Sequence, residues 1–157
     1  MQTKKKIKII SDTAEKKPWE FKNYDIIEVS KDSLYAGDYT MAGHDISHHD
    51  NSVIIERKKN CLELVTNIGS EWARFEREAE ELQKFKFKQI VVCGPNNFDY
   101  LVKKGITKLN INFIYRQISL LYVKYGISTI FFNTHEEAEN YVFRLFYQIH
   151  NMTYYEN

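Results

Sequence analysis

The sequence predicts one α/β domain, rich in strands at first and then alternating strand with helix. Three observations carry that expectation. Short β-branched apolar runs recur at Ile7-Lys8-Ile9-Ile10, Val53-Ile54-Ile55 and Ile90-Val91-Val92, the mark of buried strands. Apolar residues at helical spacing follow, first at Trp72, Phe75, Ala79 and Leu82. No repeat, low-complexity tract or linker divides the 157 residues, a length suited to a single core.

In chain order, the pattern predicts a strand at about 5–11, a loop holding Pro18 and Trp19, and a strand at about 24–30. A turn or short strand runs through Ala36-Gly37-Asp38-Tyr39-Thr40. The polar stretch 42–51 reads as a loop leading into a strand that ends at Lys58. A helix over about 61–68 stops near Gly69. Ser70 then caps a longer helix to about 84, with Glu71 in its first turn. A buried strand from Lys88 stops at Gly94-Pro95, and a short helix covers about 97–104. The next helix, about 110–125, sets Ile111, Ile114, Ile118, Leu121 and Tyr125 on one side, with more apolar surface around it. It is therefore expected to be covered on several sides, by the core or by a partner subunit. After a strand at 128–132, Thr134 and Glu137 form a capping box. The last helix then lines up Ala138, Tyr141, Val142, Leu145, Ile149 and Met152.

Composition narrows the class. Hydrophobic residues make up 43% of the chain and aromatics 15%, as in a globular protein. No apolar run reaches the length of a membrane span and no signal-like segment opens the chain, so no membrane partner is expected and the cytosol is the simplest location. Cys61 and Cys93 are too few for a disulfide framework or a metal knuckle. The net charge of +1 is low for a strong stand-alone DNA binder. Basic residues cluster even so, at the N-terminus, at Arg57-Lys58-Lys59 and at Lys84, Lys86 and Lys88.

The most informative segment is Val53-Ile54-Ile55-Glu56-Arg57-Lys58. Strand side chains alternate, so Glu56 and Lys58 emerge on one face and Arg57 on the other. Gly37-Asp38 supplies a second carboxylate after a turn. Two carboxylates and a lysine at a strand end suit hydrolysis of a phosphodiester with magnesium. The carboxylates hold a hard cation, and the lysine orients or deprotonates the water. His44, His48 and His49, with Asp45 and Asp50, match no closed zinc pattern and read as a solvated loop flanking the cleft.

Four ordered segments resemble one family. The run Ile9-Ile10-Ser11-Asp12-Thr13-Ala14-Glu15-Lys16-Lys17-Pro18-Trp19 is similar to its opening motif, an apolar strand followed by Asp-Thr-Arg-Glu and often Pro-Trp. Gly37-Asp38-Tyr39 is similar to its Gly-Asp-aromatic motif. Ile55-Glu56-Arg57-Lys58 matches its Glu-Arg-Lys signature, and Arg74-Phe75-Glu76-Arg77-Glu78 looks like the helix that follows. Together they resemble the XPF-type structure-specific nucleases, a branch of the PD-(D/E)XK superfamily, across about residues 7–150.

The resemblance implies a restriction-endonuclease-like core, a central mixed β-sheet flanked by helices. It implies a Mg2+-dependent endonuclease, with Mn2+ able to substitute, acting on branched, flap or nicked DNA in repair or recombination. Asp38, Glu56 and Asp12 would hold the metal, and Lys58 would position the water. Glu15 would line the same cleft. Arg57 would sit near the phosphates or lock the neighbouring acids. Arg57, Lys59, Lys16 and Lys17 would contact DNA, and the C-terminal half would form a homodimer or heterodimer. Ala14 stands where the family has Arg, and Leu62 where it has Asp, with Glu63 one place later. A second reading, a catalytically silent scaffold for dimerisation or DNA docking, predicts loss of the metal-binding acids, yet Asp38, Glu56 and Lys58 are retained.

Overall fold

A computed structural model describes residues 5–47 and 50–155. Its centre is a mixed six-stranded sheet in the order β2-β1-β3-β4-β5-β6. The strands are β1 (Ile7–Asp12), β2 (Ile27–Asp32), β3 (Tyr39–Met41), β4 (Val53–Lys58), β5 (Phe87–Val92) and β6 (Ser128–Phe131). The short β3 runs antiparallel to both β1 and β4, whereas β1 and β2, β4 and β5, and β5 and β6 pair in parallel. Two reversals at β3 leave β1 and β4 pointing the same way, so their C-terminal ends meet at one end of the sheet.

Strand alternation sorts the core into two layers. Ile54, Ile90 and Val92 face helices α1 (Cys61–Ile68), α2 (Trp72–Leu82), α3 (Phe98–Lys103) and α4 (Ile111–Tyr125). Ile7, Ile9, Ile55 and Val91 face α5 (His135–Tyr154) and the Trp19 segment. Trp19 and Tyr39 are fully buried there, with the Trp19 N–H donating to Tyr39 Oη at 2.9 Å.

Most elements match their sequence pattern, and their ends explain the differences. Asn60 caps α1 by accepting from Glu63 N at 2.9 Å, and the Glu63 carboxylate accepts from Lys59 N at 2.8 Å. Ser70 caps nothing: Glu71 is the N-cap residue of α2, without a side-chain cap bond, because its carboxylate binds Asn67 and Arg74 instead. β2 starts at Ile27 rather than about 24, since Tyr24 is held in a turn by Phe21 O and stacks on Phe143 at 3.8 Å. Thr134 caps α5 as expected. On that helix Phe143, Phe146 and His150 are buried, while Met152 is 53% exposed and leaves the expected apolar face. α4 buries Ile114, Leu121 and Tyr125, but Tyr122 and Val123 are exposed. No described helix is long and apolar enough to cross a membrane.

Residues 42–47 and 50–51 do not flank the carboxylates. β3 carries the chain to the opposite end of the sheet, and His44 is buried there rather than solvated. His48 and His49 lie outside the described residues.

Candidate active site

Register assembles the site. Ser11 pairs with Tyr39, and Tyr39 with Ile55. One step along these antiparallel ladders sets Asp38 opposite both Asp12 and Glu56. Two backbone bonds hold the alignment: Asp12 N donates to Asp38 O at 2.8 Å, and Asp38 N donates to Ile55 O at 2.9 Å. The left-handed turn at Gly37 (φ +72°) delivers Asp38 to this position. A Cβ on Gly37 would stand 2.4 Å from Ile54 Cγ1, so the turn has neither the conformation nor the room for a side chain.

Asp12, Asp38 and Glu56 line a cleft of 460 Å3 between the strand ends and α2. Arg74, Arg77, Glu78 and Glu81 form its α2 wall, and the 34–37 loop its rim. Lys58 is buried behind it, with its Nζ 2.9 Å from Glu56 Oε1 and 4.9 Å from the centre of the Phe75 ring.

The three acids are not equivalent. Asp12 accepts from Leu34 N at 2.9 Å with one oxygen and from Ala14 N at 3.0 Å with the other, so its carboxylate holds the surrounding loops. Among the described residues Asp38 accepts one backbone bond, from Arg57 N at 2.7 Å. Burial, then the Glu56 and Glu15 carboxylates, push Asp38 up from 3.8 to about 8. Burial also raises Glu56, although Lys58 opposes the shift. Burial works against the Lys58 ammonium, but Glu56 above all, with Glu63 and Asp38, more than offsets it and raises its pKa. Lys58 is therefore a charged donor at neutral pH, suited to orienting a water and neutralising charge rather than to taking a proton.

Arg57 lies on the other face of the sheet. Its guanidinium pairs with Glu15 at 2.9 Å, donates to Lys17 O at 2.7 Å and lies 5.3 Å from the centre of the Trp19 ring. Glu15 also accepts from Tyr39 Oη at 2.9 Å. The Glu15 carboxylate is thus turned to Arg57 and is not among the groups lining the cleft. Lys16, Lys17 and Lys59 are exposed around this end of the sheet. Leu62, in place of the family Asp, is 41% exposed, and Glu63 is engaged in closing the turn into α1.

Among the described residues no group of three or more His, Cys, Asp and Glu side chains is arranged to hold a metal ion. The donor set instead fits a cation held by two carboxylates, Asp38 and Glu56, because backbone donors occupy Asp12. Burial first, and then neighbouring carboxylates, disfavours charge on both acids, and a divalent ion would favour their charged forms.

Sequence reasoning did not assign the α2 wall a role. Its signal was present, since Arg74, Arg77, Glu78 and Glu81 recur at helical spacing beside the apolar stripe of Phe75, Ala79 and Leu82. Arg74 is tied to Glu71 at 2.7 Å and Glu78 at 3.0 Å. Arg77 is exposed and has no hydrogen bond or ion pair among the described residues.

Solved structures share this architecture. The chain is similar to XPF from Aeropyrum pernix, at 19% identity and a TM-score of 0.64, over 89% of this chain and 65% of that one. It is also similar to XPF from Aeropyrum pernix in complex with DNA, at 17% identity and a TM-score of 0.58, over 93% and 64% of the two chains. The chain therefore spans just under two thirds of the length of each. The likeness defines the class, a restriction-endonuclease-like fold of the XPF nuclease type. The ERCC4 domain matches residues 11–145, and the chain belongs to that family. No curated protein matches it.

Proposed function

We propose that this protein is a divalent-metal-dependent endonuclease that hydrolyses a DNA phosphodiester bond, with branched, flap or nicked DNA as its substrate class. The observation that carries the reading is the register that aligns Asp38 with Glu56 in one cleft, with the Lys58 ammonium 2.9 Å from Glu56. Membership of the ERCC4 family supports it, as does the likeness to an XPF solved with DNA.

Asp38 and Glu56 would hold the cation, with Mg2+ the expected ion and Mn2+ a substitute. When bound, the ion supplies Lewis-acid polarisation of the phosphate and a water of lowered pKa. The chain does the rest. Lys58 orients the attacking water and stabilises charge growing on the phosphoryl oxygens, a preorganised contribution. Asp12 fixes the loops that shape the cleft mouth. Arg77, unengaged on the α2 wall, contacts a phosphate beside the scissile one. Arg57 keeps the strand end rigid by pairing with Glu15, while the exposed Lys16, Lys17 and Lys59 draw the backbone towards it. The dimer contact implied for the C-terminal half would use the exposed Tyr122 and Val123 of α4.

The test is cleavage of labelled duplex, single-strand, flap and fork DNA with Mg2+, Mn2+ or chelator. Metal-dependent cutting should fall at least ~100-fold in Lys58→Ala and in Asp38→Asn. Arg77→Ala should weaken chelator-protected DNA binding and lower its salt slope by about 1. DNA binding with no cutting under any metal would replace this reading with the scaffold. Cutting that survives both site substitutions would show that the centre lies elsewhere.

A further inference from the structure

A second basin, of 380 Å3, lies at the other end of the sheet. It opens where β1 begins and β3 ends. Lys8 and Asp12 stand at opposite ends of β1, so the basin lies about 13 Å along the strand from the carboxylates. Lys5, Lys6 and Lys8 contribute from β1 and the residues just before it, Gly43 from the turn after β3, and His150 and Tyr154 from α5.

Three features single it out. The first is charge: three lysines line it and no carboxylate does among the described residues. The catalytic cleft is the reverse, with five carboxylates against two arginines. The second is a buried polar group: His150 is 6% exposed, and its Nε2 has no partner among the described residues. An unpaired imidazole nitrogen at such depth costs the fold free energy unless something enters to meet it. The third is shape: Gly43 sits at φ +82°, and a Cβ there would stand 3.1 Å from Tyr154 Oη. The glycine lets the backbone approach that hydroxyl without crowding the floor.

The groups around His150 agree in sign. Burial first, then His44 and Lys5, hold its pKa below the ordinary value. The ring is neutral at pH 7 and can offer an Nε2–H as donor. Tyr154 and Tyr155 are its ring neighbours, at 4.7 and 6.2 Å between centres. Lys5 lies over the Tyr154 ring at 4.6 Å. Lys5 and Lys6 make no ion pair among the described residues, whereas Lys8, between Ile7 and Ile9, points to the sheet face opposite α5.

We propose that this basin binds a phosphate group, with Lys5 and Lys6 supplying charge and His150 Nε2–H and Tyr154 Oη supplying directed hydrogen bonds. A phosphate suits the set because it accepts several charge-assisted bonds at once and neutralises clustered lysines. The group is either a backbone phosphate of a nucleic acid reaching beyond the cleft or the phosphate of a free nucleotide. The site does not depend on the cleft cutting DNA.

The experiment is NMR titration of the full chain, following the His150 imidazole and the Ala42 and Gly43 amides. Inorganic phosphate, a 5′-mononucleotide and a short DNA duplex in chelator are added separately. Phosphate should shift all three signals saturably and leave the Asp38 and Glu56 amides in place. The exposed double variant Lys5→Gln, Lys6→Gln should weaken that binding at least tenfold. His150→Gln provides a second, independent disruption. Saturation by the duplex at lower concentration than by the mononucleotide would identify a DNA backbone phosphate as the source, and the reverse order a free nucleotide. Signals that none of the three probes moves would overturn the site, as would shifts that persist unchanged in the lysine variant.

Discussion

Replacing Asp38 with Asn should make the metal-free protein more stable while disabling the proposed chemistry. Asp38 rises from 3.8 to about 8 in the folded chain, because burial and the Glu56 and Glu15 carboxylates oppose its charge. The folded state thus holds this proton more tightly than the unfolded state does. The associated stability is fully present below pH 3.8, is lost as pH climbs towards about 8, and is constant beyond. At pH 7 the loss has an upper limit of about 4 kcal/mol, taking about 1.4 kcal/mol per pH unit. Asn removes the charge and keeps an oxygen to accept the Arg57 N–H, now bonded at 2.7 Å. For a chain of this size about 1–4 kcal/mol corresponds to a rise in Tm of roughly 3–15 °C. Thermal unfolding by circular dichroism in chelator, at pH 4, 5.5, 7 and 8.5, measures it. The two proteins should differ little at pH 4 and diverge as pH rises. Mg2+ should raise the Tm of the wild type and not that of the variant. A variant less stable than wild type at pH 7, or a gap that does not widen with pH, refutes the reasoning.

Two further substitutions probe how the site is held. Gly37→Ala must adopt φ +72° and place a Cβ 2.4 Å from Ile54 Cγ1; we expect a loss of about 2–4 kcal/mol in urea unfolding from backbone strain and overpacking, with loss of cleavage as Asp38 shifts. Arg57→Ala leaves Glu15 without its buried partner and should cost about 3 kcal/mol. Calorimetric Mn2+ affinity should stay within about threefold of wild type, since Arg57 lies across the sheet from Glu56. Lost metal binding with stability intact would instead place Arg57 in the cleft.

Much of this architecture was legible because it is locally encoded. The runs at Ile7, Val53 and Ile90 became strands, and the stripes of α2 and α4 face the core, burying Phe75, Ala79, Leu82, Ile114, Leu121 and Tyr125 and half-burying Trp72, Ile111 and Ile118. The two-residue period alone assigned Glu56 and Lys58 to one face and Arg57 to the other. The unreadable parts depend on contacts between distant segments. Nothing within 42–51 reveals that β3 runs antiparallel, and that direction removes His44 from the cleft. Glu71 was expected inside α2, but Asn67 and Arg74 hold its side chain, and no local rule ranks those partners against a Ser70 cap. Asp12 was expected to serve the metal beside Asp38. Its difference lies in the Leu34 N–H, which arrives from the far side of β2.

These contacts give the Glu-Arg-Lys signature a division of labour that its sequence leaves open. Glu56 lines the cleft with Lys58 buried behind it, and burial first, then neighbouring carboxylates, raises both Asp38 and Glu56. Arg57, one residue away, sits where its charge is already matched by Glu15 and its planar group is covered by Trp19. The signature arginine is thus held on the opposite face, and of the two arginines on the α2 wall Arg74 is tied to Glu71 and Glu78. A proton or a cation from outside the chain can supply compensating charge at the two buried acids. The proton is favoured at low pH, and its release from Asp38 as pH climbs through about 8 opens the site to a divalent ion. Binding and ionisation are therefore linked: apparent metal affinity should rise with pH up to about 8 and level off above it.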